Sequence, residues 1–422
     1  MISSLRLLAK RRFLPLFATQ FLGAFNDNLF KTAMVLFVTF EVYSDPGVES
    51  RFNAVATGLV ILPFFLLSAV SGQLADTRDK ARIIRLVKTA EIFIMLVGAT
   101  GLVISSIPVM LAALFAMGIH STFFGPIKYA ILPQHLREEE VLSGTGLIEA
   151  GTYLAILMGT ILAGFISGKT AAGMVLLVAA LGWLTARQVP PAPAMGEPTR
   201  LDFHVVRSSI KLVSATMHVP RLFLAICAIS FFWTIGAVLI IEFPPLVKNV
   251  FTADKEVASL FLGIFSVGVA VGSVLINRLL GACVSARHAP ASVIAMGGFV
   301  IMLYFVAGHW PALPGGQLYD IWEFVVEPHA MLVFIALFGV AATGGMFVVP
   351  LYAFLTTTVA KDQTARTVAA NNIINSGAMV AGSILVLGLT WMGMTVREGL
   401  LVVAAMCLVA AWLAWKLHLA CE

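Results

Sequence analysis

Residues 13–42 read FLPLFATQFLGAFNDNLFKTAMVLFVTFEV, and this stretch decides the class of fold. A helix rises about 1.5 Å per residue and needs roughly 20 apolar residues to cross a hydrocarbon core, so the run is long enough to span. Its middle, Gln20 to Lys31 (QFLGAFNDNLFK), nevertheless puts amides, a carboxylate and an ammonium where lipid should be. Ionisable groups at that depth are costly and mark functional sites by default. On a helix Asp27 and Lys31 are four apart with the acid first, and Gln20, Gly23, Ala24, Asp27 and Lys31 share one stripe, expected to face an internal cavity. The competing expectation is a neutralised pair that only closes a helix contact.

Working outward, hydrophobic residues make up 59% of the 422, charged residues 12%, and the mean hydropathy is +0.96. An ordinary soluble domain carries roughly 25% charged residues, so this composition belongs to a polytopic membrane protein. Further apolar stretches lie at 53–75, 83–104, 108–132, 141–167, 171–187, 219–248, 256–280, 288–308, 329–354, 366–391 and 397–417, which with the first predicts twelve transmembrane helices in an all-α integral membrane protein. With the N-terminus inside, nineteen Lys and Arg fall on the cytoplasmic side and five (Arg51, Lys169, Lys248, Lys255 and Arg397) on the other. Both termini are therefore expected in the cytoplasm. The net charge of +5 reflects this topology and anionic lipid, with no role for nucleic acid. Arg6, Lys10, Arg11 and Arg12 ahead of the first span suggest an uncleaved first helix rather than a signal peptide. Cys227, Cys283, Cys407 and Cys421 show no CxxC spacing, so no disulfide framework, metal or redox cofactor is expected.

The segment QVPPAPAMGEP, Gln188 to Pro198, breaks the hydropathy with six stretches on either side. Two six-helix bundles are predicted, 1–187 and 219–422, joined by a cytoplasmic linker at 188–218. In that linker Phe203, Val206, Ile210, Val213 and Met217 recur at helical spacing, the pattern of an amphipathic surface helix. Between the second and third spans, GQLADTRDKAR (Gly72 to Arg82) resembles the G-x-L-A-D-R-x-G-R-K loop of the major facilitator superfamily, departing at Thr77 and Asp79. The resemblance implies the superfamily fold and a conformational latch at Gly72, Asp76, Arg78 and Arg82. It also implies substrate binding near the midplane, with one bundle rocking against the other.

Embedded ionisable residues crowd the first half: Asp27, Lys31, Lys88, Glu91, His120, Lys128 and Glu149, whereas the second has Glu242 alone away from the span ends. The second half supplies aromatics such as Phe231, Phe232, Trp233, Phe261 and Phe347, mostly packing. Together these suit an amphiphile whose headgroup docks on one bundle. In HSTFFGPIKYAILPQ, His120 to Gln134, Gly125 and Pro126 are expected to interrupt a helix just before Lys128, which could meet a phosphate or snorkel to the surface. Glu149 could pair with Lys128 or Lys31 or carry a proton. Lys88 and Glu91, three apart, read as a mutual pair, and Asn371 and Asn375 as helix glue.

QFLGAFNDNLFK and FFGPIKYAILPQ together resemble the lysophospholipid transporter (LplT) family of bacterial inner membranes. That resemblance implies a monomeric flippase that moves lyso-phosphatidylethanolamine-type lipids inward by alternating access. A separate acyltransferase and acyl-carrier-protein synthetase would then reacylate them. It places Asp27, Asn26 and Asn28 at the ammonium or glycerol hydroxyls and Lys128 at the phosphate, while Lys31, His120 and Glu149 join the candidate substrate site as embedded polar residues, with membrane lipids around them. The seventh span, FFWTIGAVLIIEFPP, departs from the family by offering Glu242 where a base is expected. The alternative is a proton-coupled exporter of drugs or siderophore-like solutes, with Asp27 or Glu149 as proton carrier; GTILAG (Gly159 to Gly164) only loosely resembles the antiporter G-P-x-x-G-G. An enzyme is not expected, since no H-x-x-x-x-D, G-x-S-x-G or H-E-x-x-H occurs.

Overall fold

The computed structural model describes residues 6–194, 204–280, 285–313, 317–357 and 364–421. Twelve helices of nineteen residues or more carry most of these: α1 (Leu14–Phe37), α2 (Pro46–Thr77), α3 (Lys80–Val103), α4 (Ile107–Ala130), α5 (Glu138–Phe165), α6 (Gly168–Ala186), α7 (Pro220–Asn249), α8 (Lys255–Leu279), α9 (Ala289–Gly308), α10 (Ala330–Thr357), α11 (Thr364–Trp391) and α12 (Val396–Cys421). Ten of them are long and apolar enough to cross a membrane by length and composition. The other two, α1 and α5, have the length, at 24 and 28 residues, but carry polar residues within it.

Local chemistry sets the helix starts. Proline, whose missing N–H costs nothing in the first turn, opens α4, α7 and α9. Asp79 caps α3, accepting from the backbone N–H groups of Ala81 at 2.9 Å and Arg82 at 3.3 Å. Inside α4, Pro126 does not interrupt the helix as the sequence suggests; Ile107–Ala130 is continuous. Proline removes the N–H that would bond the carbonyl four residues back. That carbonyl, Thr122 O, instead accepts the Ser71 hydroxyl of α2 at 2.7 Å. Pro245 in α7 likewise strips Ile241 O, which accepts from Asn53 Nδ2 at 3.3 Å.

The chain forms two compact units, Met1–Phe37 with Leu62–Ser208, and Val38–Ile61 with Ser209–Glu422. In the first, α1 packs on α5 and α6, and α3 on α4 and α6. In the second, α7 packs on α11 and α12, and α9 on α10 and α12, which is the same scheme advanced by six helices. Such an internal parallel repeat is characteristic of one class of transporter folds. Gly159 makes the α1–α5 contact close: a Cβ there would lie 2.5 Å from the Phe25 carbonyl oxygen. Its place in GTILAG is thus accounted for by packing.

The second unit includes Val38–Ile61, although chain order puts that segment in the first half. The segment is fastened by polar contacts. Lys248 donates to Glu49 Oε1 at 2.6 Å and to the carbonyls of Thr39 at 2.5 Å and Tyr43 at 2.6 Å, around a π turn at Val38–Val42. Asn249 Nδ2 donates to Glu49 Oε2 at 2.5 Å. α2 begins at Pro46 rather than at 53, because these polar residues depress the hydropathy by which the sequence marks a span. Elsewhere in the unit, Ser230 of α7 donates to Asn375 of α11 at 2.8 Å, and Asn375 to the Tyr352 hydroxyl of α10 at 3.2 Å, so Asn375 joins three helices. Phe251, Phe261, Trp310 and Phe324 pack ring against ring, with Trp310 and Phe324 stacked at 4.7 Å.

Candidate functional site

Within the first unit, α1, α3 and α4 bring polar side chains together around Glu91. Its Oε1 accepts from Asn26 Nδ2 at 2.9 Å, and its Oε2 from Lys88 Nζ at 2.5 Å. His120 Nε2 lies 3.3 Å from the same Oε2, and its Nδ1 lies 3.4 Å from Ser121 Oγ. Ser121 in turn donates to Asp27 Oδ2 at 2.5 Å. Lys88 is wholly buried, its ammonium 5.3 Å from the Phe124 ring centroid and against Gly23 of α1. A buried charge is tolerable only when paired and hydrogen-bonded, and Lys88 and Glu91 satisfy that for each other.

Besides His120 Nε2, whose neighbour is the Glu91 carboxylate, two buried polar atoms here have no hydrogen-bond partner among the described residues: Asn26 Oδ1 and Asp27 Oδ1. Both are acceptors, on consecutive residues of α1. A buried acceptor left bare costs roughly 1–3 kcal/mol, so the arrangement invites donors.

A second polar chain lies seven residues earlier on α1, about 10 Å along the helix. The Thr152 hydroxyl of α5 is 2.8 Å from Gln20 Oε1 and accepts from Lys128 Nζ at 3.4 Å. Gln20 Nε2 donates to the Ile148 carbonyl at 3.2 Å, and Lys128 Nζ stands 4.9 Å from the Tyr129 ring centroid.

Several sequence expectations change. Asp27 and Lys31 do not pair: the short carboxylate meets Ser121 of α4, and Lys31 forms no hydrogen bond or ion pair among the described residues. The stripe divides, with Gln20 and Gly23 in helix contacts and Ala24, Asp27 and Lys31 half-buried. Asn28 turns back on its own helix, donating to the Ala24 carbonyl at 2.8 Å. Lys128 sits in the second chain, apart from Asp27. The side chains of Glu149 and Asp76 lie outside the described residues. Arg78 and Arg82 are exposed and make no ion pair among the described residues, while Gly72 has open space beside it. Asp79, where the sequence departs from the superfamily motif, holds the loop: besides capping α3, it accepts from Ala192 N at 3.3 Å. Sequence reasoning treated Glu91 as half of an isolated pair and passed over Ser121 and Thr152. The one available signal was the position of Ser121 beside His120.

The family model described as Major Facilitator Superfamily matches residues 16–383. The chain belongs to the Major Facilitator Superfamily. This superfamily member is a multi-pass membrane protein, a transporter rather than an enzyme. It is 26% identical over 398 residues to the lysophospholipid transporter LplT of Pectobacterium carotovorum subsp. carotovorum (strain PC1), covering 91% of this chain and 86% of that one. To the LplT of Photorhabdus laumondii subsp. laumondii it is 24% identical over 345 residues, 80% of this chain and 78% of the relative. Among solved structures it is similar in fold to a bacterial homologue of the human lysosomal transporter Spinster in an inward-facing, occupied conformation. That match has a TM-score of 0.70 at 13% identity and covers 96% of both chains.

Proposed function

We propose that this transporter carries lysophospholipids, of the lyso-phosphatidylethanolamine type, from the outer to the inner leaflet of a bacterial inner membrane by alternating access. An acyltransferase and an acyl-carrier-protein synthetase reacylate the product, and both termini are cytoplasmic. The observation that carries this reading is the pair of bare acceptors, Asn26 Oδ1 and Asp27 Oδ1, within a chain similar over four-fifths or more of its length (80% and 91%) to named lysophospholipid transporters. An ammonium headgroup brings N–H donors to both oxygens and a charge to the carboxylate. Charge-assisted hydrogen bonds are the stronger kind, roughly 1.5–3 kcal/mol each. Lys128, beside Thr152, supplies the cation for the phosphate.

The test is uptake and acylation of labelled lyso-phosphatidylethanolamine in cells lacking their own transporter, with and without this chain, supplying both enzymes separately. A chain-dependent rise lost in Asp27→Asn supports the reading. No rise despite inserted protein overturns it and moves the assignment to proton-coupled solute export.

A further inference from the structure

Asn371 and Asn375 stand one turn apart on α11 of the second unit, and only one of them is satisfied. Asn375 accepts from the Ser230 hydroxyl at 2.8 Å and donates to the Tyr352 hydroxyl at 3.2 Å. Asn371 is wholly buried, yet its Oδ1 has no hydrogen-bond partner among the described residues. Its Nδ2 lies 3.5 Å from the Tyr352 oxygen, to which Trp233 Nε1 of α7 donates at 2.8 Å.

A phenol oxygen has two lone pairs, and Trp233 and Asn375 reach them at shorter range. Asn371 is left with one contact at the outer limit of hydrogen-bond length and a bare carbonyl. Asn375 already joins α7, α10 and α11, so holding helices together explains that residue and not its neighbour one turn back. A buried acceptor without a donor carries its desolvation cost in full, and a donor on a ligand removes it.

The surroundings select the kind of donor. Ser230, Trp233, Tyr352, Asn371 and Asn375 are all uncharged. An ammonium or a phosphate would give up its hydration there with no opposite charge among the five to replace it. A hydroxyl fits, because an amide presents an acceptor beside a donor and a hydroxyl is both. Apolar surface borders the cluster: the Phe232 ring meets Trp233 edge-on at 5.6 Å and Phe347 at 6.5 Å. Trp233 is 37% exposed, so the cluster reaches the surface of its unit at an aromatic ring, a contact suited to the apolar part of an amphiphile.

We propose that Asn371 binds the free glycerol hydroxyl of a lysophospholipid, beside Tyr352 and Trp233, and that this contact tells the lysolipid from the diacyl lipid of the surrounding membrane. The hydroxyl donates to Asn371 Oδ1, and its own oxygen accepts from Nδ2. In a diacyl lipid the same oxygen belongs to an ester, which brings only acceptors and leaves Oδ1 bare. A site made to hydrogen-bond a hydroxyl rejects the analogue that lacks it, because the site's own buried group then stays unpaired. The proposal rests on the lysophospholipid reading, in which Asn26 and Asp27 take the ammonium, and adds to it the group that makes the lipid a lysolipid.

The first arm measures chain-dependent uptake into liposomes of labelled lyso-phosphatidylethanolamine, of its deoxy analogue with hydrogen in place of the free hydroxyl, and of its methyl ether, which keeps the oxygen and loses the donor. Wild type should take up the lysolipid about tenfold faster than either analogue at limiting concentration. Asn371→Leu, similar in size with no polar atom, should bring the rates together by slowing the lysolipid alone. Disturbed packing would instead slow all of them in proportion, as Asn375→Leu should. The second arm needs no lysophospholipid. Thermal unfolding of the purified full chain is followed in an amine-oxide detergent, which carries no hydroxyl, with hydroxypropyl laurate or propyl laurate added. The hydroxyl ester should raise the midpoint further than the plain ester in wild type, and no further in Asn371→Leu. Should Asn371→Leu fail to insert, the wild-type comparisons decide. Equal uptake of lysolipid and deoxy analogue by wild type, equal midpoints with the two esters, or a preference unchanged in Asn371→Leu would overturn the proposal and leave the substrate reading standing. A chain that moves no lysophospholipid yet distinguishes the two esters through Asn371 would overturn only the substrate reading.

Discussion

Lys88 sets its ammonium so close to Gly23 that one added carbon on the glycine would overlap it. The lysine has nowhere dry to retreat: it is wholly buried, with Glu91 at 2.5 Å and the Phe124 ring beneath it. Gly23→Ala should therefore push the cation off its partner and cost about 1–3 kcal/mol, the usual range for overpacking. Thermal unfolding in detergent reads this. In a Lys88→Ala background the penalty should vanish, a non-additivity expected only of groups in contact.

Glu91→Gln removes the charge that Lys88 and Asn26 share. Breaking a buried pair from one side costs about 3–5 kcal/mol because the remaining charge is stranded. Adding Lys88→Met to the same chain should return most of that stability. If the double variant is no more stable than the single, the pair is not what holds α3 in place.

Asp27→Asn keeps the shape of the side chain and removes its charge. If the ammonium of the substrate meets Asp27 Oδ1, uptake should fall about tenfold or more, since 1.4 kcal/mol is tenfold and a charged hydrogen bond is worth at least about that. Protein in the membrane, measured by a C-terminal tag, should stay level. Near-normal uptake at equal expression would remove Asp27 from the site.

Ser71→Ala leaves the Thr122 carbonyl without its 2.7 Å donor, because Pro126 cannot supply one. A bare buried acceptor should cost about 1–3 kcal/mol. Pro126→Ala restores the helix's own N–H, so the double variant should unfold at a higher temperature than Ser71→Ala alone. The opposite order would show that Ser71 contributes something other than this bond.

At the start of α5, Glu140 accepts from Lys10, from Arg12 Nη2 at 2.6 Å and from the Arg137 N–H at 3.1 Å. The Lys10 contact first, then the Arg137 N–H, hold its carboxyl below the usual carboxylate range. A lowered value means that the stabilisation is present above the ordinary carboxylate pKa and is lost as pH falls through the lowered one. Glu140→Gln should flatten that acid-side loss, and added salt should shrink the difference, because Lys10 and Arg12, the cations that hold the half-buried carboxylate, are open to solvent. Melting curves across acid pH with and without salt decide it.

The all-helical class and the superfamily were legible because hydropathy repeats along the chain and GQLADTRDKAR is local. The Lys88–Glu91 pair was legible for the same reason, three residues on one helix. What was hidden came from other helices. Asn26 reaches Glu91 across 65 positions and Ser121 reaches Asp27 across 94, separations that no periodicity encodes. Helical spacing offered Lys31 to Asp27, and a tertiary hydroxyl took its place. Pro126 looked like a break because its lost N–H is visible in sequence, whereas the Ser71 hydroxyl that compensates is not. The polar residues Glu49, Ser50 and Asn53 lowered hydropathy and hid the first two turns of α2, yet they are the contacts that fasten it.

The enclosure of Lys88 by Gly23, Phe124 and Glu91 has one more consequence. Dissolved ions weaken only those fields that they can surround, and no electrolyte reaches this ammonium. The polarity it lends to Asn26 and His120 through Glu91 is therefore constant whether the outside medium is dilute or briny. Headgroup recognition built on this cluster should hold its strength through osmotic swings, while charge contacts at the chain's exposed ends fade.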